Sequence, residues 1–428
     1  MSSPRGLERR VLFIFFLFVL LHQTDKLLIG PLKGPISETF GLSHFQFGLV
    51  VTGALIVGTV LYPVWGYLYD RYTRPKLLAL ASFIWGSTTW FSAIAPTYPT
   101  FLAARATTGI DDSAYPGLYS LLSDYFGPER RGKAYGLLQL AQPMGYLVGM
   151  VLALTLAPQI GWRRVFFLTG FLGVLLAGVI WWGVKERARG EAEPEFEALG
   201  EVPRFRFSWD AAREIFRRKT MWFIMAQGFA GVFPWNVLTY FFFDYLARER
   251  GYDEQAILVT MGPVVLLVAT GYFLGGYLGD VFFARTRRGR LLVAMTGVLL
   301  GMVFLVLTMR TPLGQETRFM VFLFLTALVM PWAAPNVVAT IHDVTLPEVR
   351  STAQSLEYFV ENFGAATAPA LAGWIADRTS MGTAILSVST LGWLIGGILF
   401  LGAVLTVEQD VRFLRQTLAQ RAQAARRE

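Results

Sequence analysis

Long apolar segments alternate with short polar ones along almost the whole chain. A helix needs about 20 residues to cross the hydrocarbon core of a bilayer. Twelve apolar segments approach or exceed that length, at 10–31, 45–69, 77–95, from 99 to just before Asp124, 132–158, 164–184, 220–247, 254–279, 290–309, 318–343, 352–376 and 381–407. The pattern predicts an all-α membrane protein in which these segments are transmembrane spans 1 to 12.

The polar connections between the spans repeat. Residues 66–70 and 276–280 both read Gly-Tyr-Leu-x-Asp, 210 positions apart in a chain of 428 residues. Residues 124–131 and 343–350 both read Asp-x-x-x-Pro-Glu-x-Arg, 219 positions apart. Two matched pairs in the same order indicate two related halves, each with six spans.

These repeats divide the chain into four predicted parts. Residues 1–184 form a first six-helix bundle, and residues 220–408 form a second. Residues 185–219 are highly charged and are predicted to be a solvated cytoplasmic linker, with a short helix beginning at Ser208, an acceptable N-cap. Residues 409–428 form a basic cytoplasmic tail, for which a helix on the anionic membrane surface and a disordered segment both fit the sequence.

The composition agrees with a membrane protein. Hydrophobic residues make up 54% of the chain and charged residues 16%, whereas soluble domains carry about 25% charged residues. The sequence has no cysteine, which excludes disulfides and cysteine-ligated metal sites. The three histidines lack the spacing of metal ligands, so we expect no metal site, no catalytic site and no cofactor other than a coupling ion.

Basic residues fall mainly on one side of the predicted membrane. Of 38 lysines and arginines, 28 lie at the N-terminus, in the connections after even-numbered spans, in the linker or in the tail. Because lysine and arginine accumulate in cytoplasmic loops, both termini are predicted to be cytoplasmic in a multi-pass protein of the cell (inner) membrane. This topology accounts for the net charge of +8, so the charge does not indicate nucleic-acid binding.

Ionisable residues inside the membrane are concentrated in spans 1 and 4. Each costs at least about 2.5–3.5 kcal/mol there, so such residues face water or one another. Spans 1 and 4 are three apart in the order of spans. This spacing suggests that the half consists of two three-helix repeats and that the first helix of each repeat lines a cavity at the middle of the membrane. The expected residues are two proton carriers, Asp25 and Asp112, and three substrate contacts, His22, Lys26 and Arg105. The alternative to a transport role is that these charges form a structural ion-pair cluster. Asp111 is expected to point elsewhere, about 100° around the helix from Asp112.

Spans 7 and 10 carry aromatic and amide side chains instead of charges. Both combine proline, tryptophan and asparagine at mid-depth, where proline frees a backbone carbonyl that a cavity can satisfy. Span 11 adds Glu361 as a third proton carrier, whereas Glu357 lies nearer the cytoplasmic end. The predicted substrate contacts are Trp235, Asn236, Tyr240, Asn336 and Asn362. A charged first half and an aromatic second half favour a substrate with a charged head and an apolar body.

The connection between spans 2 and 3 holds one acid among three bases. Asp70 ends span 2, and we expect it to face the N-terminus of span 11 near Ser351, where the helix dipole favours negative charge. Arg71 and Arg74 are expected to reach Asp124 at the end of span 4. Together these residues are predicted to form a cytoplasmic gate that stays closed while the outer side is open.

The same connection resembles the signature of the major facilitator superfamily, Gly-x-Leu-x-Asp-Arg-x-Gly-Arg-Arg. The matching residues are Gly66, Leu68, Asp70, Arg71 and Arg74, and the departures are Thr73 and Pro75. Residues 131–133 resemble the corresponding element after span 4. The resemblance covers nearly the whole chain and implies two six-helix bundles that transport by alternating access.

The first half also resembles Spinster-type lipid transporters. That family has Asp-Arg in span 1, where this chain has Asp25 and Lys26. In span 4 it has Arg-Ala-x-x-Gly-x-Gly-Glu-Ala-Ser-Tyr, where residues 105–115 read Arg-Ala-Thr-Thr-Gly-Ile-Asp-Asp-Ser-Ala-Tyr. The resemblance implies proton-linked movement of lysolipids or sphingoid lipids, with Asp25, Arg105 and Asp112 central.

Two other functions fit the same residues. Organic-anion/proton symporters of the superfamily also carry an acid–base pair in span 1. A non-transporting membrane receptor or scaffold would keep the fold and could dispense with Asp25 and Asp112. The expected partners are a small-molecule or lipid substrate and membrane lipids, and the protein is expected to be a monomer.

Overall fold

The computed structural model describes residues 4–30, 32–42, 44–112, 114–196, 206–376 and 378–425. Within these residues the regular secondary structure is helical, without a β-strand. Every segment predicted to span the membrane is helical, which confirms the all-α architecture. The main departures from the predicted spans are interior breaks in spans 4 and 10 and several helices that extend beyond their predicted ends.

Among the described residues, the first half of the sequence forms helices α1 to α10. Their bounds are α1 Pro4–Leu28, α2 Lys33–Phe40, α3 His44–Arg71, α4 Arg74–Ile94, α5 Tyr98–Thr107, α6 Gly109–Asp112, α7 Tyr115–Tyr125, α8 Arg131–Val151, α9 Ala157–Ile160 and α10 Trp162–Gly183. Spans 1, 2, 3 and 6 correspond to α1, α3, α4 and α10. Span 5 consists of α8, a π-helical turn at Leu152–Leu156, and α9.

The second half of the sequence forms helices α11 to α18. Their bounds are α11 Trp209–Arg217, α12 Lys219–Arg248, α13 Glu254–Arg285, α14 Gly289–Met309, α15 Glu316–Val329, α16 Ala333–Val344, α17 Arg350–Ala376 and α18 Met381–Ala425. Spans 7, 8, 9, 11 and 12 correspond to α12, α13, α14, α17 and α18.

Spans 4 and 10, which occupy the same position in the two halves, are each interrupted. Span 4 is divided into α5, α6 and α7, and Pro116 lies in the first turn of α7. Span 10 passes through a 3₁₀ turn at Met330–Trp332 between α15 and α16. Proline lacks a backbone N–H and breaks the helical hydrogen-bond ladder, which explains why these interruptions adjoin Pro116 and Pro331.

Six of the described helical segments are long and apolar enough to cross a membrane by length and composition alone. They are Arg74–Ile94, Trp162–Gly183, Gln255–Arg285, Gly289–Met309, Glu316–Val344 and Met381–Ala425. These segments correspond to predicted spans 3, 6, 8, 9, 10 and 12. They agree with a multi-pass membrane protein.

The chain folds as two compact units. Unit 1 comprises Met1–Gly127, Leu137–Ser208 and Pro347–Ser355, whereas unit 2 comprises Pro128–Gly136, Trp209–Leu346 and Leu356–Glu428. Each unit therefore includes a short segment from the other half of the sequence. Both short segments overlap the repeated Asp-x-x-x-Pro-Glu-x-Arg motif, so this motif contributes to the unit formed mainly by the opposite half.

Each unit has its own apolar core. The core of unit 1 includes Leu28, Phe101 and Phe166. The core of unit 2 includes Phe242 and Phe319. Lipid tails are as apolar as these side chains, so van der Waals packing holds together the helices that carry the polar residues described below.

Two elements outside the predicted spans are also helical. The helix predicted after Ser208 is present as α11, which buries Ile215 and exposes Trp209. Helix α18 continues beyond span 12 to Ala425. The disordered alternative for the tail is therefore wrong for residues 409–425, where Leu414 and Leu418 are buried on one helical face.

Candidate functional site

The close approach of α4 and α10 positions the first part of the site. A Cβ atom added to Gly86 would lie 2.5 Å from the carbonyl oxygen of Gly170, so only glycine allows this approach. Small residues at helix crossings bring membrane helices together in this way. Thr89 lies one turn from Gly86, and Thr169 adjoins Gly170, so the crossing places both hydroxyl groups beside Asp25 of α1.

Asp25 is buried in unit 1, with 1% of its surface exposed. Thr169 donates a hydrogen bond of 2.6 Å to Oδ1, and Thr89 donates one of 3.0 Å to Oδ2. Arg105 Nη1 lies 3.5 Å from Oδ2. Two hydroxyl donors and one cation thus compensate the carboxylate, as a buried charge requires.

Arg105 approaches Asp25 from α5, shortly before the interruption of span 4. It is 4% exposed, and its guanidinium carbon lies 5.5 Å from the centre of the Phe166 ring, within the range of a cation–π contact. The Asp25–Arg105 separation is longer than the two threonine bonds. Asp25 and Arg105 lie together, as the sequence led us to expect, and Arg105 is the most weakly held of the three partners.

A second polar group surrounds His22, one turn before Asp25 on α1. The Nε2 atom of His22 lies 2.5 Å from Oδ2 of Asp111, and its Nδ1 atom lies 2.6 Å from the hydroxyl oxygen of Tyr115. Asp111 is fully buried, with 0% exposed. The expectation that Asp111 points away from the predicted polar residues is wrong, because its carboxylate contacts His22. The angle of about 100° separates Asp111 only from Asp112, on the same short helix, and does not exclude a contact with α1.

Three further predicted residues belong to spans 1, 4 and 7. Lys26 is partly buried, one turn after His22. The side chains of Asp112 and Tyr240 lie outside the described residues. The roles assigned to these three residues stay predictions.

The amide residues predicted to contact substrate lie in unit 2, and each donates to a backbone carbonyl. The pairs are Asn236 with Val232 at 3.0 Å, Asn336 with Gly275 at 2.9 Å, and Asn362 with Tyr358 at 2.7 Å. Asn336 is buried and joins α16 to α13, whereas Trp235, Asn236 and Asn362 are partly buried. Asn336 therefore has a packing contact, and substrate binding by these four residues stays a prediction.

Glu361 lies on α17 together with Glu357, one turn earlier. Glu357 is buried and lies on the same face of α17 as Glu361, four positions later. Glu357, considered from the sequence only as a residue near the helix end, thus lies beside the predicted proton carrier, whose role stays a prediction.

The Gly-Tyr-Leu-x-Asp motif of unit 1 forms a second candidate site. Asp70 is buried and accepts hydrogen bonds from the backbone N–H groups of Ser351 at 3.1 Å and Thr352 at 2.6 Å. These N–H groups belong to the first turn of α17, where the helix dipole favours an anion. The contact predicted near Ser351 is present, and its role in gating stays a prediction.

Three buried charges adjoin this contact in unit 1. Arg74 Nη1 lies 2.5 Å from Asp124 Oδ2, and Arg350 Nη1 lies 3.6 Å from Asp124 Oδ1. Arg74 therefore reaches Asp124 as expected. The same expectation for Arg71 is wrong, because Arg71 is exposed and its guanidinium bonds to the hydroxyl of Tyr67.

The first part of the linker also belongs to this cluster. Glu193 is 1% exposed and pairs with the buried Arg350, and Phe196 is equally buried. The Gly190 N–H donates a hydrogen bond of 2.7 Å to Asp124 Oδ1. The backbone of Gly190 has a φ of 79°, a left-handed conformation that favours glycine. The expectation of a solvated linker is therefore wrong for these residues, because their charges are paired inside unit 1.

Arg189 brings a further linker charge to Asp70. Its Nη1 atom lies 4.0 Å from Asp70 Oδ1, and its Nη2 atom donates a hydrogen bond of 3.0 Å to the carbonyl oxygen of Tyr69. Burial and the neighbouring Arg74 guanidinium lower the pKa of Arg189, and the Asp70 carboxylate opposes this shift. The linker thus supplies both an acid and a base to the cluster around Asp70.

Unit 2 contains the matching arrangement built from its own motif. Asp280 accepts hydrogen bonds from the backbone N–H groups of Gly132 at 3.0 Å and Lys133 at 2.8 Å, in the first turn of α8. Arg290 pairs with Asp280 at 2.8 Å, and Asp343 contacts both Arg290 and Arg131. In each unit the motif aspartate thus binds the first turn of a helix that belongs to the opposite half of the sequence.

Comparison with known proteins shows which family has this architecture. A profile of the Major Facilitator Superfamily matches residues 14–315 and 267–425. The human protein spinster homolog 1 is 26% identical over 427 residues, which cover 92% of this chain and 80% of that protein. The resemblance to the Spinster-type group is thereby confirmed.

Solved structures share the fold. The crystal structure of a bacterial homolog to the human lysosomal transporter Spinster, inward-facing and unoccupied, gives a TM-score of 0.59 at 21% identity, covering 99% of this chain and 98% of that one. The human organic anion transporter gives a TM-score of 0.63 at 15% identity, covering 95% and 100%. At these identities the likeness shows the fold alone, with twelve transmembrane helices.

Proposed function

We infer that this chain, which belongs to the major facilitator superfamily, is a proton-coupled secondary transporter of an amphipathic substrate such as a lysolipid or a sphingoid lipid. The observation that carries this proposal is the buried pair of Asp25 and Arg105, 3.5 Å apart in unit 1. Ionisable groups inside a membrane protein are costly and mark ion or substrate pathways.

The chemistry of the pair suggests how a proton could be coupled to substrate. A proton on Asp25 removes the negative charge that holds Arg105, while Thr89 and Thr169 can still hydrogen-bond the neutral acid. Arg105 would then be available to an anionic headgroup, since guanidinium binds carboxylate and phosphate well. Release of the proton would restore the ion pair and weaken substrate binding.

The substrate class is proposed from two features. In the sequence, spans 1 and 4 carry positive charge at Lys26 and Arg105, and span 7 carries the aromatic Trp235. These side chains favour a molecule with an anionic or zwitterionic head and an apolar tail. The resemblance of the first half to Spinster-type lipid transporters favours a lipid, and a protein acting as a monomer with both termini in the cytoplasm is part of the same proposal.

We propose further that the motif contacts act as gates in alternating access. The bonds of Asp70 to the first turn of α17, and of Asp280 to the first turn of α8, would break and reform in each cycle. Bonds between a carboxylate and backbone N–H groups are each worth about 1.5–3 kcal/mol. That energy is small enough to be overcome by substrate and proton binding.

Uptake by proteoliposomes under an imposed pH gradient tests the proposal. The panel should contain a lysophospholipid, sphingosine and small organic anions, with wild-type protein and Asp25→Asn. We expect the pH gradient to stimulate lipid uptake by the wild type, and a protonophore to abolish that stimulation. A response to sodium alone would refute proton coupling, uptake of anions without lipids would favour an organic-anion symporter, and binding without uptake would favour a receptor.

A further inference from the structure

Asp111 is a buried acid that the proposed transport mechanism does not use. It lies on α6, the short helix between the two parts of span 4, and it is 0% exposed. A buried carboxylate needs strong partners, and the geometry provides His22 at 2.5 Å.

The imidazole of His22 is fixed from several sides in unit 1. Its Nε2 atom faces Asp111, and its Nδ1 atom lies 2.6 Å from the hydroxyl oxygen of Tyr115. Phe18 stacks on the ring at 5.9 Å, and Trp85 meets it with its edge at 5.5 Å. The ring therefore cannot rotate freely, and each nitrogen has one defined partner.

These partners determine which nitrogen can exchange a proton. The Asp111 carboxylate only accepts hydrogen bonds, so the Nε2 atom of His22 carries a hydrogen in both the neutral and the charged ring. The Nδ1 atom accepts from the Tyr115 hydroxyl when the ring is neutral, and it donates to the same oxygen when the ring is charged. Gln23 donates a hydrogen bond of 3.2 Å to the Tyr115 oxygen, and it can do so whether the His22 ring is neutral or charged.

We propose that His22 is a second proton carrier of the transport cycle, that its Nδ1 atom binds and releases the proton beside Tyr115, and that Asp111 is its positioning residue. On loading, a hydronium ion transfers its proton to Nδ1, so that an O–H bond breaks as the Nδ1–H bond forms, and the Tyr115 hydroxyl turns from donor to acceptor. On release, that bond breaks, the proton passes to water, and the hydroxyl donates again. The proposal rests on the proposed proton coupling and adds a residue to it.

The charged groups on neighbouring elements are consistent with this role. Asp25 and Lys26 follow His22 on α1, and Arg105 of α5 is paired with Asp25. Helix α4 presents Trp85 and α7 presents Tyr115, neither of which is charged at neutral pH. Asp25 is held by Thr89, Thr169 and Arg105, whereas the His22 ring is held by Asp111 and Tyr115, so the two groups have separate partners.

Nitrogen NMR of protein labelled with ¹⁵N at histidine tests this assignment without any substrate. The chain has only three histidines, so His22→Asn identifies the signals of His22 by their loss. We expect signals of both the charged and the neutral ring across a pH series, and we expect the neutral ring to carry its hydrogen on Nε2. Asp111→Asn should transfer part of that hydrogen to Nδ1, because an amide at position 111 can also donate.

Two results would overturn the proposal. One is a His22 signal that stays in a single protonation state from about pH 5 to 9. The other is a neutral ring that carries its hydrogen on Nδ1 in the wild type. Either result would leave the proposed function intact if pH-driven uptake by the wild type were observed, so the two failures are distinguishable.

A transport measurement completes the test. His22→Gln should lower uptake driven by a pH gradient by at least about tenfold, as expected when a required proton carrier is lost. His44→Gln, at the first residue of α3, is the matched control and should behave as the wild type. Unchanged pH-driven uptake by folded His22→Gln protein would also refute the proposal.

Discussion

The Asp70 carboxylate accepts a hydrogen bond of 2.6 Å from the backbone N–H of Thr352, 282 positions later in the chain. Asp280 makes the corresponding contact with Lys133 at 2.8 Å in unit 2. In both places an anion meets the first turn of a helix, where the helix dipole is positive. The sequence repeat is thus a repeat of one physical interaction.

Replacing Asp70 should slow transport without preventing folding. Asp70→Asn keeps the size of the side chain but offers one carbonyl oxygen instead of two carboxylate oxygens to Ser351 and Thr352. Loss of such a helix-terminal bond costs about 0.5–2 kcal/mol. We expect reduced uptake by proteoliposomes, with expression and substrate binding close to the wild type.

The matched control for that variant is Asp253→Asn. Asp253 also binds the first turn of a helix, because it accepts a hydrogen bond of 2.7 Å from the N–H of Ala256. It lies outside the groups around Asp70 and Asp280. Its substitution should leave uptake unchanged. Equal transport rates for Asp70→Asn and the wild type would remove the proposed gate.

Replacing Asp25 should uncouple transport from protons. Asp25→Asn keeps the hydrogen-bonding shape beside Thr89 and Thr169 but cannot bind or release a proton at this position. We expect pH-driven uptake to disappear while substrate exchange without a gradient continues. Thr169→Val, which removes one hydrogen bond and keeps the acid, should retain a response to the pH gradient. Full pH-driven uptake by Asp25→Asn would contradict the assignment.

The linker pair should contribute to stability. Glu193→Ala removes the partner of the buried Arg350, and removing one member of a buried ion pair costs about 3–5 kcal/mol. Glu191→Ala removes a more exposed partner of Arg187, four positions earlier, and such pairs contribute about 0.3–0.5 kcal/mol. Thermal unfolding in detergent should show a much lower melting temperature for Glu193→Ala only. Equal melting temperatures would show that the linker is not part of the folded unit.

The motif glycines should tolerate no side chain. A Cβ atom on Gly66 would lie 2.7 Å from Cβ of Ser355 and 3.0 Å from the carbonyl oxygen of Ser351. Gly66→Val should therefore reduce the yield of monodisperse protein or abolish transport, because the first turn of α17 must move away. Gly262→Val is the control, since a Cβ atom there meets nothing within 4 Å. A normal yield and transport rate for Gly66→Val would contradict this packing.

Much of the architecture was predictable because it depends on local pattern. The twelve apolar segments are each long enough to form a helix whose backbone groups bond within the segment, and a bilayer requires that arrangement. The contact of Asp70 near Ser351 was also predictable, because the sequence repeat and the helix dipole together identified a favourable partner. The sequence also indicated that the buried acids and cations of spans 1 and 4 face one another or water, because a buried charge needs a partner, but it left open which of them pair.

Other features were beyond the sequence because they depend on packing between distant segments. The helical angle from Asp112 suggested that Asp111 points away from the polar residues, yet Asp111 contacts His22 of α1, because the packing of two helices decides which side chains meet. The charge of the linker indicated a solvent-exposed segment, yet Glu193 is buried against Arg350, which lies 157 positions later in the chain. The sequence alone determined which segments form helices and which residues are costly to bury. Only the tertiary structure decided which of those residues meet, since a hydrogen bond or ion pair depends on the separation of two atoms in space, and the position of a residue along the chain does not fix that separation.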